Sequence, residues 1–332
     1  ADVDLRKLSY LDALGDQLIE GTIDVERAYI ELKRIRNLED PFGSLISIFA
    51  FGLVGICASV FFNASHSEMI ASAIVGLIVG VVTTQLTANT RMKNFAQFLA
   101  AFLATVTAAL LAQFFDSYNF NLVLIASLIV LIPGLSLTIA ITELATLNLA
   151  SGTARLMQSI LIFFKLAFGV ALGIQTLIVM NFNINFPYQE IEVAFRHKAY
   201  SIVVAAFAFC ILFKIPVRFY PWVLLAGSLG FSTTYFTSPS FGATIGTFLA
   251  GFAVCLLANA FARWRKRPAL LLELPGLILI VPGSVGFKGL QFFFDNNTLA
   301  GLESIFNMFL IAVALVSGFL LANILLVPKR SL

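Results

Sequence analysis

Four charged side chains, Glu143, Lys165, Glu273 and Lys288, lie inside apolar stretches of this sequence. A charge held in hydrocarbon costs about 2.5–3.5 kcal/mol on insertion scales, so such residues face partners, substrates or proton paths. Pro133 and Gly134 come shortly before Glu143, and Pro282 and Gly283 shortly before Lys288. Proline in mid-span removes a backbone hydrogen bond and glycine permits a bend, so both pairs predict helices broken near the centre of a bilayer. The half-helices that begin at Gly134, Leu135, Ser136 and at Gly283, Ser284, Val285 then offer free N–H groups and positive dipole ends to an anion such as a carboxylate. Ser136, Glu143 and Thr146 share a helix face with Thr142 beside it, a polar seam next to the first break. The candidate substrate-binding residues are therefore Pro133, Gly134, Ser136, Thr142, Pro282, Gly283, Ser284 and Lys288, and the candidate proton-coupling residues are Glu143, Lys165 and Glu273.

Each assignment has a plainer competitor. A single Pro-Gly pair is often a simple kink, although its recurrence in both halves argues for more. Glu143 and Lys165, measured from a turn at Gly152, differ in depth by about 6 Å at 1.5 Å per residue, which predicts an ion pair. Such a pair would be either structural or a proton site, with the carboxyl pKa raised by desolvation and lowered by the lysine. Glu273 is close enough to the basic run Arg263–Arg267 to pair with it at the interface, and Lys288 could snorkel towards Asp295. Pro275 and Gly276 predict a second break in their span. Thr83 with Thr84, and Thr233 with Thr234, could line a path, but hydroxyls in spans more often bond back to their own helix or pack against another.

The elements that position these residues come in duplicate. With an offset of 149, Pro133, Gly134 and Gly152 fall on Pro282, Gly283 and Gly301; with an offset of 150, Thr83, Thr84, Phe98 and Phe102 fall on Thr233, Thr234, Phe248 and Phe252. Apolar runs lie at about 44–62, 68–86, 95–115, 120–150 and 155–180, and again at about 199–215, 220–236, 240–262, 269–294 and 301–327. The reading is an all-α polytopic membrane protein of ten transmembrane helices. With the N-terminus inside, 17 Lys and Arg residues fall on the inner side and Arg196 and Lys198 on the outer, the bias expected of cytoplasmic loops. Five spans per unit, an odd number, force the two halves to insert upside-down, so the expected architecture is a 5+5 inverted repeat able to open alternately inward and outward. The units are 44–185 and 186–332, with both termini cytoplasmic in the cytoplasmic (inner) membrane of a cell.

Composition narrows the classes further. Of 332 residues 59% are apolar and 12% charged, with mean hydropathy +0.94, which a soluble core-and-surface arrangement does not tolerate. Residues 1–40 are different in kind, holding 10 of the 18 acidic and 6 of the 21 basic residues. Leu5, Leu8, Leu11, Leu14 and Leu18 make one apolar stripe, Val25, Ala28, Leu32 and Ile35 another, and Gly21 separates them, with Asp24 as a cap. A short cytoplasmic helical hairpin follows, packed on a partner domain, on the membrane surface or on the inner mouth. The chain opens without an apolar leader, so the first span is expected to act as the membrane signal. Cys57, Cys210 and Cys255 sit in apolar runs and form no disulfide framework. His66 and His197 cannot make a metal site alone, and no phosphate loop, zinc spacing or nucleophile triad is present. The expectation is no cofactor, no metal, no nucleic-acid partner and no enzyme activity, with protons, lipid and a small amino acid or carboxylate as partners; homo-oligomerisation stays open. A channel for small organic anions would use the same scaffold, and a membrane enzyme with Glu143 or Glu273 as acid or base lacks a second catalytic partner.

The segment SYLDALGDQLIEGTIDVERAYIELKRI, then Pro133 and Gly134 with Glu143 and Gly152 to Arg155, then ELPGLILIVPGSVGFKGL carrying Pro275, Gly276, Pro282, Gly283 and Lys288, resemble the ThrE-type threonine/serine exporter family over nearly the whole chain. In that family the two halves occur fused, as here, or as separate chains, and its acidic position after the first Pro-Gly is more usually Asp than the Glu found at 143. The resemblance implies proton-driven export of small hydroxy amino acids, with export of dicarboxylates such as succinate as the alternative seen in two-chain relatives.

Overall fold

The computed structural model describes residues 4–327 apart from 90, 116, 183–191, 279, 281, 282, 295 and 296, and the backbone alone at 293 and 294. All regular structure among these residues is helical: α1 (Leu5–Ile19), α2 (Val25–Arg36), α3 (Ser44–Phe61), α4 (His66–Thr87), α5 (Ala96–Ala112), α6 (Phe120–Leu128), α7 (Gly134–Ala145), α8 (Leu149–Val179), α9 (Phe195–Leu212), α10 (Tyr220–Arg265), α11 (Leu270–Leu277), α12 (Gly283–Phe294) and α13 (Thr298–Leu325). Seven helical segments, those containing α3, α4, α5, α8, α9, α10 and α13, are long and apolar enough to cross a membrane.

α10 is two arms. Gly242 takes φ +83°, ψ 160° inside its 46 residues, a backbone conformation that glycine alone adopts without strain. A Cβ built on Gly230 would meet Val254 at 3.0 Å, although 24 residues of straight helix span about 36 Å. The chain therefore folds back at Gly242 into antiparallel arms, residues 220–241 and 243–265. Two further pairs of helices are too short to cross singly: α6 and α7 have 9 and 12 residues, α11 and α12 have 8 and 12. At 1.5 Å per residue each pair adds to about one hydrocarbon thickness of roughly 30 Å.

The helix breaks follow Pro-Gly at one place in each half and not at a second. α7 starts at Gly134 and α12 at Gly283. The break expected at Pro275 and Gly276 is absent, since α11 runs through both to Leu277. Pro275 sits in the second turn of a helix only eight residues long, so its missing N–H deletes one bond that the packed neighbours on α10 tolerate.

Equivalent residues make equivalent contacts. A Cβ on Gly169 of α8 would meet Phe98 O at 2.5 Å and Phe102 N at 3.2 Å of α5, and a Cβ on Gly318 of α13 would meet Phe248 O, and Phe252 N at 2.8 Å, in the second arm of α10. Thr83, Thr84 and Thr87 donate to the carbonyls of Val79, Gly80 and Thr83; Thr233, Thr234 and Thr237 do so to Leu229, Gly230 and Thr233. These hydroxyls are spent on their own helices. The pairings α5 with α8 and α7 with α8 recur as α10 with α13 and α12 with α13, and α3 packs directly on α9. Two buried clusters hold the molecule together, and each borrows from the opposite side: Phe287, Met308, Ala312 and Val316 of α12 and α13 join the cluster around α4, α5 and α8, while Ala50, Val54 and Cys57 of α3 join the one around α9, α10 and α11.

The amphipathic start of the chain is docked. Asp4 caps α1 by accepting from Lys7 N at 3.0 Å, whereas Asp24 stands at the N-cap of α2 without a side-chain bond. Gly21, at φ +68°, makes the turn between them. Leu5 is fully buried and its N–H donates to Phe213 O at 3.0 Å; Lys214 pairs with Asp40 at 2.7 Å, and Arg267 donates to Ser9 O at 3.4 Å. Arg6 also bonds the Glu39 carbonyl. Residues 4–40 thus sit on the same end of the bundle as the turns after α9 and α10. Leu11, Leu18, Val25 and Leu32 of the two stripes remain exposed.

Candidate functional site

The two broken helices meet. A Cβ placed on Gly283 would lie 2.7 Å from Ile132 Cγ2, 3.1 Å from Gly134 Cα and 3.3 Å from Gly134 N, so the N-terminal ends of α7 and α12, from opposite halves of the sequence, touch backbone to backbone. Pro133 and Gly134 are buried and no side chain caps α7. Gly134 N–H donates to Ile132 O at 2.8 Å and Leu137 N–H to Pro133 O at 2.9 Å. The amides of Leu135 and Ser136 are left as the orphan donors of this terminus. Helix N-termini with unspent donors attract anions, and the start of α12 converges on this one. Ser136, two residues after Gly134, and Ser284, one residue after Gly283, are both partly buried. Pro282 lies outside the described residues.

The polar seam of α7 is mostly self-satisfied. Thr138 donates to Gly134 O at 3.1 Å, Thr142 to Thr138 O at 2.9 Å and Thr146 to Thr142 O at 2.9 Å. Glu143 is paired with Arg155, not with Lys165: Nη2 and Nε of Arg155 approach Glu143 Oε1 at 3.1 and 3.2 Å. The expected pair fails because the turn lies at residues 146–148, before Gly152, with Leu147 at φ +64°. Glu143 therefore faces the first turns of α8, where Gly152 packs on Leu144, and Lys165 is about 15 Å further along that helix than Arg155. Glu143 Oε2 is buried with no hydrogen-bond partner. Lys165 is partly buried and has no ion-pair partner among the described residues.

Glu273 also departs from expectation. It is partly buried on α11 and receives a hydrogen bond from Cys255 Sγ at 3.6 Å; none of the arginines between 263 and 267 pairs with it. Around it Cys255 Sγ also reaches Asn323 Oδ1 at 3.5 Å, and Asn259 Nδ2 donates to Asn323 Oδ1 at 2.7 Å and to Leu326 O at 2.9 Å. Cys255, Asn259 and Asn323 were not singled out by sequence reasoning, although lone amides in apolar runs, as at 259 and 323, are a usable signal. Lys288 is exposed, with its ammonium 5.2 Å from the centre of the Phe62 ring, a cation–π contact; Asp295 lies outside the described residues. All three cysteines are buried and free. Glu68, also missed, is buried and accepts from Ser65 N and Asn119 N, both at 2.6 Å, which fastens the starts of α4 and α6 together. No group of three or more His, Cys, Asp or Glu suited to a metal occurs among the described residues.

Comparison with known proteins places the arrangement. Residues 1–177 match the family model described as "Putative threonine/serine exporter", and residues 198–325 match the one described as "Threonine/Serine exporter, ThrE". The chain is 23% identical over 319 residues to pheromone-regulated membrane protein 10 of Pichia sorbitophila, covering 91% of this chain and 31% of that protein. It is 22% identical over 317 residues to the protein of the same name from Debaryomyces hansenii, covering 91% and 30%. The chain thus spans about a third of the length of these curated relatives. No solved structure matches.

Proposed function

The chain belongs to the threonine/serine exporter family, and we propose that it is a secondary transporter exporting small hydroxy amino acids, threonine or serine, in exchange for protons. The observation that carries this reading is the meeting of the two half-helix ends at Gly134 and Gly283. An amino acid's carboxylate is held there by the free amides and dipole ends of α7 and α12, Ser136 and Ser284 select its hydroxyl, and water is kept out by the buried residues on either side.

Alternating access follows from ten passes arranged as a 5+5 inverted repeat: α3, α4, α5, α6 with α7, and α8 in the first unit; α9, the two arms of α10, α11 with α12, and α13 in the second. The identical glycine contacts at 169 and 318 and the matching helix pairings support that equivalence. Two units of one design, inserted in opposite senses, exchange conformations about a shared site. The docking of residues 4–40 beside the basic turns after α9 and α10 supports a cytoplasmic N-terminus in the cell's inner membrane. Coupling to protons requires a carboxylate that changes charge during the cycle, and Glu143 and Glu273 are the two within reach of the moving helices.

The test is counterflow. Purified protein in liposomes loaded with unlabelled L-threonine should accumulate labelled L-threonine, faster when a pH gradient is imposed, with serine competing and succinate not. Accumulation competed by succinate alone would replace the amino-acid reading with dicarboxylate export, in which Lys165 and Lys288 hold a second carboxylate. Currents without counterflow would mean a channel.

A further inference from the structure

The second half carries a polar cluster at the end of the bundle where residues 4–40 dock. There Cys255 and Asn259 of α10, Glu273 of α11 and Asn323 of α13 form one connected polar group. The positions equivalent by repeat are Thr105, whose hydroxyl is spent on Ala101 O of its own helix, and the apolar Ala109, Val123 or Leu124, and Ile174, so the first half carries no connected polar group at these positions. Buried polar side chains in a membrane are expensive and persist where they act.

The group has a specific imbalance. Cys255 has one S–H proton and faces three acceptors on two helices, Glu273 Oε1 at 3.6 Å on α11 and Asn323 Oδ1 at 3.5 Å and Phe319 O at 3.9 Å on α13. Asn259 is fully buried, and its Oδ1 has no partner. The cluster is therefore one hydrogen-bond donor short, and a buried orphan acceptor costs about 1–3 kcal/mol. A proton added to Glu273 brings a further donor into the cluster and removes the strongest acceptor facing the Cys255 S–H. Among the described residues no cation pairs with this carboxylate: Arg263 donates to Val327 O, Arg267 to Ser9 O, and Lys214, beyond α9, is paired with Asp40. On α9 and α10, the elements packed against α11, the remaining titratable groups are Cys210, Tyr220, Cys255 and Arg265, with Arg196, His197, Lys198, Tyr200 and Tyr235 at the opposite ends of α9 and of the first arm of α10. Glu143, by contrast, has its charge balanced by Arg155.

We propose that Glu273 is the carboxylate that carries the coupling proton and that Cys255 converts its charge state into a change of helix contacts. This rests on the proton-coupled reading above and names its site. In the ionised state the Cys255 S–H donates to Glu273 and ties α10 to α11. A hydronium ion from the aqueous face gives its proton to a Glu273 oxygen; one O–H bond forms, one breaks, and water leaves. The neutral carboxyl is a poorer acceptor, and the S–H turns to Asn323, tying α10 to α13 and releasing α11. Only residues 278–282 separate the end of α11 from Gly283, so the release reaches the break where the substrate is held. Loss of the proton reverses each step.

Two measurements decide it. In threonine counterflow with and without a pH gradient, the wild-type protein should be stimulated several-fold, and Glu273→Gln should show a stimulation ratio of one. A wild-type ratio in Glu273→Gln overturns the assignment, and loss of the ratio in Glu143→Gln alone transfers the role to Glu143. Absence of counterflow with threonine, serine or succinate in the wild type strikes the transport reading instead, and the site is then judged on the second measurement. Infrared spectra of the unmodified protein, with the Cys255 S–H stretching band identified by its loss in Cys255→Ser, should show that band shifting in step with the Glu273 carboxyl band, identified by its loss in Glu273→Gln, as pH is varied. An S–H band that stays fixed through that titration overturns the switch.

Discussion

Replacing Gly283 with alanine tests the meeting of the broken helices. The new Cβ would lie 2.7 Å from Ile132 Cγ2 and 3.1 Å from Gly134 Cα, against ordinary contacts of 3.4–4 Å, so the two ends must separate by about 0.7 Å or Ile132 must turn away. Overpacking of this kind costs roughly 1–3 kcal/mol. Because both partners belong to the proposed site, the cost should fall on substrate binding: at 1.4 kcal/mol per tenfold, Gly283→Ala should weaken L-threonine about 5- to 150-fold. Half of the clash is with the end of a side chain, so adding Ile132→Ala should recover part of the loss. The assay is the concentration dependence of counterflow, with Gly169→Ala as a control that crowds α5 against α8 far from the breaks. Unchanged apparent affinity in Gly283→Ala, or an equal loss in Gly169→Ala, would refute the placement of substrate between α7 and α12.

Gly169→Ala and Gly318→Ala press on equivalent backbone atoms of α5 and α10, which cannot turn aside as a side chain does, so each should lower stability by about 1–3 kcal/mol and by similar amounts in detergent unfolding; a large cost at one site alone would break the equivalence of the halves. Burial pushes the Asp40 carboxyl up, but the Lys214 hydrogen bond, the Phe42 N–H and the charges of Lys214 and Arg6 outweigh it and leave its pKa below the ordinary carboxylate value. A depressed folded-state pKa gives stability that is present above the unfolded value and lost as pH falls through the folded one, so docking of residues 4–40 should loosen in acid. With Asp40 exposed and Lys214 only partly buried the effect is below about 1 kcal/mol; it is read by hydrogen exchange of α1 against pH and should vanish in Asp40→Asn.

What the sequence made legible were signals that are local or strictly periodic. Pro133 with Gly134 and Pro282 with Gly283 announced helix starts because neither proline nor glycine continues a helix easily, and the offset of 149 to 150 announced the matching contacts of Gly169 and Gly318. The fold-back at Gly242 lies just past the gap between the runs 220–236 and 240–262, three residues beyond Pro239. The partner of Glu143 was misread because it depended on where one turn falls: Leu147, in a left-handed conformation without being glycine, carries no sequence signal, and a shift of five residues moved Arg155 into the place expected for Lys165. Pro275 misled in the opposite direction, since a proline's effect depends on what packs around it. Cys255, Asn259, Glu273 and Asn323 are spread over 68 positions, and no spacing rule assembles residues from three helices. The N-terminal stripes were visible, but which of three surfaces they covered was decided by Phe213, Lys214 and Arg267, which lie near the other end of the chain.

In the proposed cycle one site, at the meeting of α7 and α12, opens to each side of the membrane in turn. Ser136→Cys, in a protein whose own cysteines are all buried, places a reactive thiol at that point. In membranes of known orientation it should react with a membrane-impermeant thiol reagent applied from either face, and L-threonine should protect it. A thiol that reacts from one face only, or is not protected, would contradict the account.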